Sequence, residues 1–126
     1  MKKVLITGAN SYIGTSFEKF INQNHKDEIE ISTLDMMNPS WKEFDFSKFD
    51  AVFHVAGIAH ADVGNVSEEV KEKYYKVNRD LTLEVANIAK DNGVKQFIFM
   101  SSMIIYSGCK ETFITKETVP QAENFY

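Results

Sequence analysis

The run Val4-Leu5-Ile6-Thr7-Gly8-Ala9-Asn10-Ser11-Tyr12-Ile13-Gly14 constrains this chain more than any other stretch of it. Val4, Leu5 and Ile6 are consecutive apolar residues, the pattern of a parallel strand covered on both faces. Gly8 then permits a turn that a Cβ would obstruct. From Tyr12 onward Ile13, Phe17, Phe20 and Ile21 follow a helical spacing, with Asn10 or Ser11 available as the N-cap. The first amides of a helix lack intrahelical acceptors and its dipole is positive at this end, so the turn can hold a pyrophosphate without a basic side chain. The usual dinucleotide fingerprint carries three glycines here. Ser11 takes the middle position; it is small, and its hydroxyl can itself donate to a phosphate. The plainer reading is that Gly8 and Gly14 serve only a tight strand-to-helix junction.

Beyond this turn, strands and helices alternate. Glu28 to Leu34 reads as a second strand through Ile29, Ile31 and Leu34, and closes on Asp35. An acid at this position can accept hydrogen bonds from the adenosine ribose hydroxyls, or can be an ordinary turn residue. A carboxylate would repel a 2′-phosphate and the only arginine, Arg79, lies far along a later helix, so NAD is favoured over NADP. Trp41 to Phe44 reads as a weak third strand and Ala51 to Val55 as a strong one, ending in Ala56-Gly57. The links flanking the third strand are too short for crossover helices, which need about a dozen residues. A single helical turn or an extended link is therefore expected over Asp45 to Asp50.

Ser67 to Asn92 reads as one long amphipathic helix, with Val70, Tyr74, Val77, Leu81, Val85 and Ile88 at three- and four-residue intervals. Ser67 serves as its cap, Glu68 and Glu69 suit its first turn, and Gly93 is its left-handed terminator. Val94 to Ser101 returns as another buried strand. The alternation predicts an α/β fold, a Rossmann-type parallel sheet with flanking helices, in one domain over 1–126. Ligands of such sheets bind at the carboxyl ends of the strands. Gly8, Asp35, Gly57 and Ser101-Ser102 all fall at such ends.

Composition narrows the function classes. The 126 residues are 44% hydrophobic and 25% charged, enough for one globular core, and the net charge of −4 with no basic block argues against nucleic acid. No apolar stretch approaches the roughly 20 residues of a membrane span, and Met1-Lys2-Lys3 does not open a signal peptide. The single Cys109 has no internal disulfide partner, and a reducing cytoplasm is the expected compartment. His25, His54, His60 and Cys109 lack zinc-ligand spacing, so no metal is expected. His54, inside a strand, reads as hydrogen-bonded core, whereas His60 falls in a loop within reach of a substrate. Ser101 and Ser102 lack a nucleophile-elbow sequence, which disfavours serine hydrolysis.

Four ordered motifs carry a resemblance: Thr-Gly-x-x-x-x-Ile-Gly at 7–14, Phe53-His54-Val55-Ala56-Gly57, Val77-Asn78, and Phe97-Ile98-Phe99-Met100-Ser101-Ser102 with Tyr106. In order and spacing they resemble the NAD-dependent epimerase/dehydratase family, the extended short-chain dehydrogenases typified by UDP-glucose 4-epimerase. The resemblance implies that amides around Gly8, Ser11, Tyr12, Ile13 and Gly14 hold the pyrophosphate and that Asp35 holds the ribose. Asp45 and Phe46 would line the adenine pocket. Val55, Ala56 and Gly57 would pass under the dinucleotide, and Asn78 would brace the loops near it. Ser102 aligns with the family's active-site serine, and Tyr126 with the tyrosine of its Tyr-x-x-x-Lys motif.

A phenol has an ordinary pKa near 10 and needs a neighbouring cation to take a proton at neutral pH. The family's lysine would fall four positions past Tyr126. The resemblance thus implies an N-terminal portion, truncated before the substrate-binding region and inactive alone, of an enzyme acting on a nucleotide sugar and able to form a homodimer through the long helix. The alternatives are an NADP-dependent ketoreductase and a non-catalytic dinucleotide sensor. Ser11, Leu81 and Tyr106-Ser107-Gly108 depart from the common family pattern and leave the subfamily open.

Overall fold

A computed structural model describes residues 1–59 and 66–126. Four strands, β1 (Lys2–Thr7), β2 (Ile29–Leu34), β3 (Ala51–His54) and β4 (Gln96–Phe99), form one parallel sheet in the order β2-β1-β3-β4. The chain runs outward from β1 to β2, then returns to the other side of β1. The order reverses between β1 and β3. A crevice opens at the carboxyl ends of the strands at such a switch point.

The centre of the sheet is covered on both faces, as the apolar run in β1 predicts. Leu5 and Val52, neighbours in register, pack with Trp41, Phe46 and, from helix α3 (Leu81–Asp91), Val85 and Ala89. On the other face Phe53 meets Phe17 of helix α1 (Tyr12–Asn24) edge to face, with ring centroids 5.0 Å apart. Leu5, Ile6 and Val52 have no exposed surface. Each such side chain contributes about 1.5–3 kcal/mol of burial.

Three expectations are corrected. Trp41 to Phe44 is not a strand: Pro39–Glu43 forms a 3₁₀ turn whose Asn38 cap accepts from the Ser40 amide. Pro39 removes a ladder donor, the cap offers the backbone local hydrogen bonds, and the turn folds Trp41 into the core. The second correction concerns the long helix. It consists of α2 (Glu68–Tyr74), a π-helical segment Tyr75–Asp80, and α3, where wider i→i+5 turns interrupt the 3.6-residue period. Third, β4 is shorter than Val94 to Ser101 and is an edge strand, with Ile98 and Phe99 exposed.

Other expectations match. Phe46–Lys48 is the single helical turn expected between Asp45 and Asp50, capped by Asp45. Ser67 caps α2, and Gly93, at φ +76°, ends α3.

Candidate functional site

The site is built on the glycine turn. Gly8 has φ +112°, and a Cβ there would lie 2.8 Å from the Ala56 amide nitrogen, so the turn presses against the chain leaving β3. That contact is fixed from the other side, because the Val55 and Ala56 amides both donate to the Thr7 carbonyl, at 3.0 and 2.9 Å. The Gly8 and Ala9 amides donate to the Leu34 carbonyl, at 3.0 and 3.1 Å, which ties the turn to the end of β2. The remaining left-handed position is Asn10, φ 64°, a residue type that tolerates it.

These conformations explain why serine serves in the middle glycine's place. Ser11 has φ −70° and ψ 153°, an ordinary extended geometry, and it is the N-cap of α1. Its Oγ accepts from the Gly14 amide at 3.1 Å, and the hydroxyl keeps its own proton to donate. A Cβ at Gly14 would lie 2.7 Å from Ser11 Oγ, so a side chain there would displace the capping hydroxyl. Tyr12 and Ile13 open the helix, where amides have no intrahelical acceptor. Their N–H groups are the donors this turn can offer an anion.

At the carboxyl edge of the sheet lies an open cleft of about 460 Å³, lined by Ile13, Val55, Ala56, Gly57, Ile58, Ala59, Asn78, Phe99, Met100, Ser101, Ser102, Ile105 and Tyr126. The structure thereby brings Ser102 and Tyr126 to the same opening as the start of α1 and the segment leaving β3. Asn78 clamps that segment: Nδ2 donates to the Ile58 carbonyl and Oδ1 accepts from the Ile58 amide, both at 2.8 Å. Ser102 caps the short 3₁₀ turn Met103–Tyr106, its Oγ accepting from the Ile104 amide at 3.3 Å.

Of the turn only Ile13 lines the cleft; Gly8, Ser11, Tyr12 and Gly14 lie outside its lining, as do Asp35, Asp45 and Phe46. Asp35 follows β2 directly and is exposed, with one carboxylate oxygen accepting from the Met37 amide at 2.9 Å. Asp45 accepts from the Ser47 hydroxyl and amide, and these bonds with the Lys48 ammonium hold its carboxyl below the usual range. Phe46 is wholly buried beside Phe44 in the core and presents no surface to a ligand. His54 is wholly buried and hydrogen-bonded through both ring nitrogens, and burial pushes it down to about 4. His60 lies outside the described residues.

Sequence reasoning missed Tyr74. Its helical spacing marked it only as apolar, yet its ring packs edge to face on Phe125 and Tyr126, with centroids 5.3 and 6.0 Å away, and its hydroxyl donates to the Ala59 carbonyl. Ile58, Ala59 and Ile105 were missed as well, because nothing in their residue types marks them as cleft wall.

The family model described as the NAD dependent epimerase/dehydratase family matches residues 4–126. The chain belongs to this family. UDP-glucose 4-epimerase of Mus musculus is 26% identical over 140 residues, covering 84% of this chain and 39% of that protein. Among solved structures, the UDP-Glc/GlcNAc 4-epimerase of Campylobacter jejuni superposes with a TM-score of 0.78 at 24% identity, over 100% of this chain and 45% of that one. UDP-glucuronic acid 4-epimerase of Bacillus cereus, solved in complex with NAD, gives 0.72 at 21%, over 98% and 47%. The chain thus spans less than half the length of these epimerases, and it shares with both solved structures the Rossmann-type fold. Among the described residues, no helix is long and apolar enough to cross a membrane, and no cluster of His, Cys, Asp and Glu is arranged to hold a metal ion.

Proposed function

We propose that this member of the epimerase/dehydratase family forms the NAD-binding part of a nucleotide-sugar epimerase or dehydratase that acts by hydride transfer at a sugar carbon. The observation that carries the reading is convergence: Ser102, Tyr126, Ile13 near the start of α1 and the Val55–Ala59 segment all border one cleft beyond the carboxyl ends of β3 and β4. The turn fits a dinucleotide diphosphate because its donors are backbone amides at a helix start and its two glycines leave the approach free of side chains. When bound, NAD supplies an acceptor for a hydride that can later be returned.

The chain's own groups have distinct tasks. Tyr12 and Ile13 donate amide hydrogens to the diphosphate, with the Ser11 hydroxyl as a third donor. Asp35 accepts from the adenosine ribose, and its charge disfavours a 2′-phosphate. Ser102 donates to the reacting oxygen of the sugar and fixes its orientation, while Tyr126, as a phenolate stabilised by the cation that the family pattern puts four positions later, takes the hydroxyl proton. Pairing of two copies along the helical stretch from α2 to α3, and a cytoplasmic location, belong to the same reading.

Titration with NAD and NADP tests the coenzyme assignment. NAD is expected to bind at least ~10-fold more tightly, a difference of about 1.4 kcal/mol; tighter NADP binding would overturn the role given to Asp35. Assay of the full reading frame on a panel of UDP-sugars tests the chemistry. Ser102→Ala and Tyr126→Phe are expected to lower kcat by about 10²–10⁴ with NAD affinity kept, and unchanged turnover would remove both from the reaction.

A further inference from the structure

The buried His54 is bonded at both ring nitrogens, and proton accounting fixes its state. Thr7 Oγ1 lies 2.6 Å from Nδ1, Thr82 Oγ1 lies 3.1 Å from Nε2, and the Thr82 hydroxyl donates to the Asn78 carbonyl at 3.0 Å. A hydroxyl has one proton to give. With the Thr82 proton on the Asn78 carbonyl, Nε2 must donate to Thr82, and Nδ1 then accepts from Thr7. The opposite tautomer would strand the Thr7 proton, because Thr7 has no exposed surface, and would break the Thr82 bond to Asn78. The other groups against the ring are Phe97 and Phe99 of β4, stacked at centroid distances of 5.9 and 6.2 Å. No charged group stands among these contacts to favour an imidazolium.

This chain of bonds joins two parts of the site. It starts at Thr7, whose carbonyl holds the end of β3, and it ends on the main chain of Asn78, whose side chain clamps Ile58 in the cleft wall. Asn78 sits in the π-helical segment Tyr75–Asp80, where backbone bonding is irregular. We propose that His54 is a positioning residue: as the Nε2–H tautomer it passes one directed run of hydrogen bonds from Thr7 through Thr82 to Asn78, and so sets the Asn78 clamp that shapes the cleft floor. The consequence for coenzyme affinity rests on the NAD-binding reading above; the effect on the clamp does not.

Three measurements decide it. In the wild type, ¹⁵N spectra of the histidine ring should show Nε2 protonated and Nδ1 bare at neutral pH; the reverse tautomer overturns the proposal. His54→Phe keeps the ring's bulk and removes both bonds, and should speed hydrogen exchange of the Ile58 amide by at least ~10-fold relative to amides of the β1–β2 ladder. His54→Gln places an amide N–H where Nε2 was and should restore most of that protection. Equal Ile58 protection in wild type and His54→Phe, or no recovery in His54→Gln, overturns the proposal. If His54→Phe does not fold, the wild-type tautomer and His54→Gln still decide it. NAD should bind His54→Phe about 10-fold more weakly than wild type, and unchanged affinity with a loosened Ile58 overturns the link to the cleft floor. A wild type that binds no NAD counts against the proposed function, while Ile58 exchange still judges the relay.

Discussion

The two sides of the cleft are built on different principles. The side made by the segment leaving β3 rests on the glycine turn, and this support is made of backbone: Gly8 touches Ala56, the Thr7 carbonyl takes two amides, and the Leu34 carbonyl takes two more. The side that carries Ser102 and Tyr126 follows an edge strand whose Ile98 and Phe99 are exposed, and it contains a single short 3₁₀ turn. Beyond that turn its chain is held by bonds within its own segment, such as the Gly108 amide to the Gln121 carbonyl and the Thr115–Thr118 pair. The first side tolerates almost no added atom. The second places its side chains by packing, as Tyr74 does for Tyr126.

This contrast can be broken by substitution. The largest effect is expected where the rigid side meets the core: Phe46→Ala should cost about 3–5 kcal/mol, read by denaturant unfolding. A small loss would show that Phe46 is not the core residue its complete burial implies. Next comes Gly8→Val. Forcing a branched side chain to φ +112° and against Ala56 should cost about 3 kcal/mol from backbone strain and overpacking together, and should abolish NAD binding in calorimetry. A stable variant that still binds NAD would show that the turn has more room than its geometry allows.

His54 gives an effect of similar size that depends on pH. Its pKa falls from 6.5 to about 4 on folding. Above pH 6.5 the ring is neutral in folded and unfolded chains and costs nothing. As pH drops from 6.5 to 4 the unfolded chain takes up a proton that the folded chain refuses, so stability falls, by about 3 kcal/mol at most, and the loss levels off below pH 4. Subtracting the pH profile of His54→Gln from that of the wild type isolates this component, and parallel profiles would contradict it.

Smaller effects sharpen the comparison. Ser11→Ala removes a helix cap and should cost about 1 kcal/mol, whereas Ser11→Gly should cost only a few tenths; equal losses in thermal unfolding would mean the cap bond is unimportant. On the open side, Ser102→Ala removes a longer cap bond, 3.3 Å, on a single 3₁₀ turn and should cost about 0.5 kcal/mol, the low end for a cap. A larger loss would show that this side is as tightly built as the other.

The same contrast explains what the sequence revealed. The turn was legible because its requirements are local: glycine at a positive φ, an oxygen-bearing cap, an apolar run before them. Gly93 at φ +76° and the Ser67 cap were legible for the same reason. The Trp41 turn was misread because its aromatic residues suit a strand, and only the Asn38-Pro39 pair signals otherwise. The π-helical segment left no trace because one run of wider turns is too short to change the spacing of Tyr74, Leu81 and Val85. The bonds around His54 join residues 47 and 28 positions apart, a proximity that only the assembled sheet creates.

The proposed NAD binding depends on the amides that open α1. A crystal structure of the protein with NAD tests this most directly: the diphosphate oxygens should lie within hydrogen-bond distance of the Tyr12 and Ile13 amides, with the nicotinamide end reaching the cleft beside Ser102. A diphosphate bound away from that turn, or a turn left empty at saturating NAD, would contradict it.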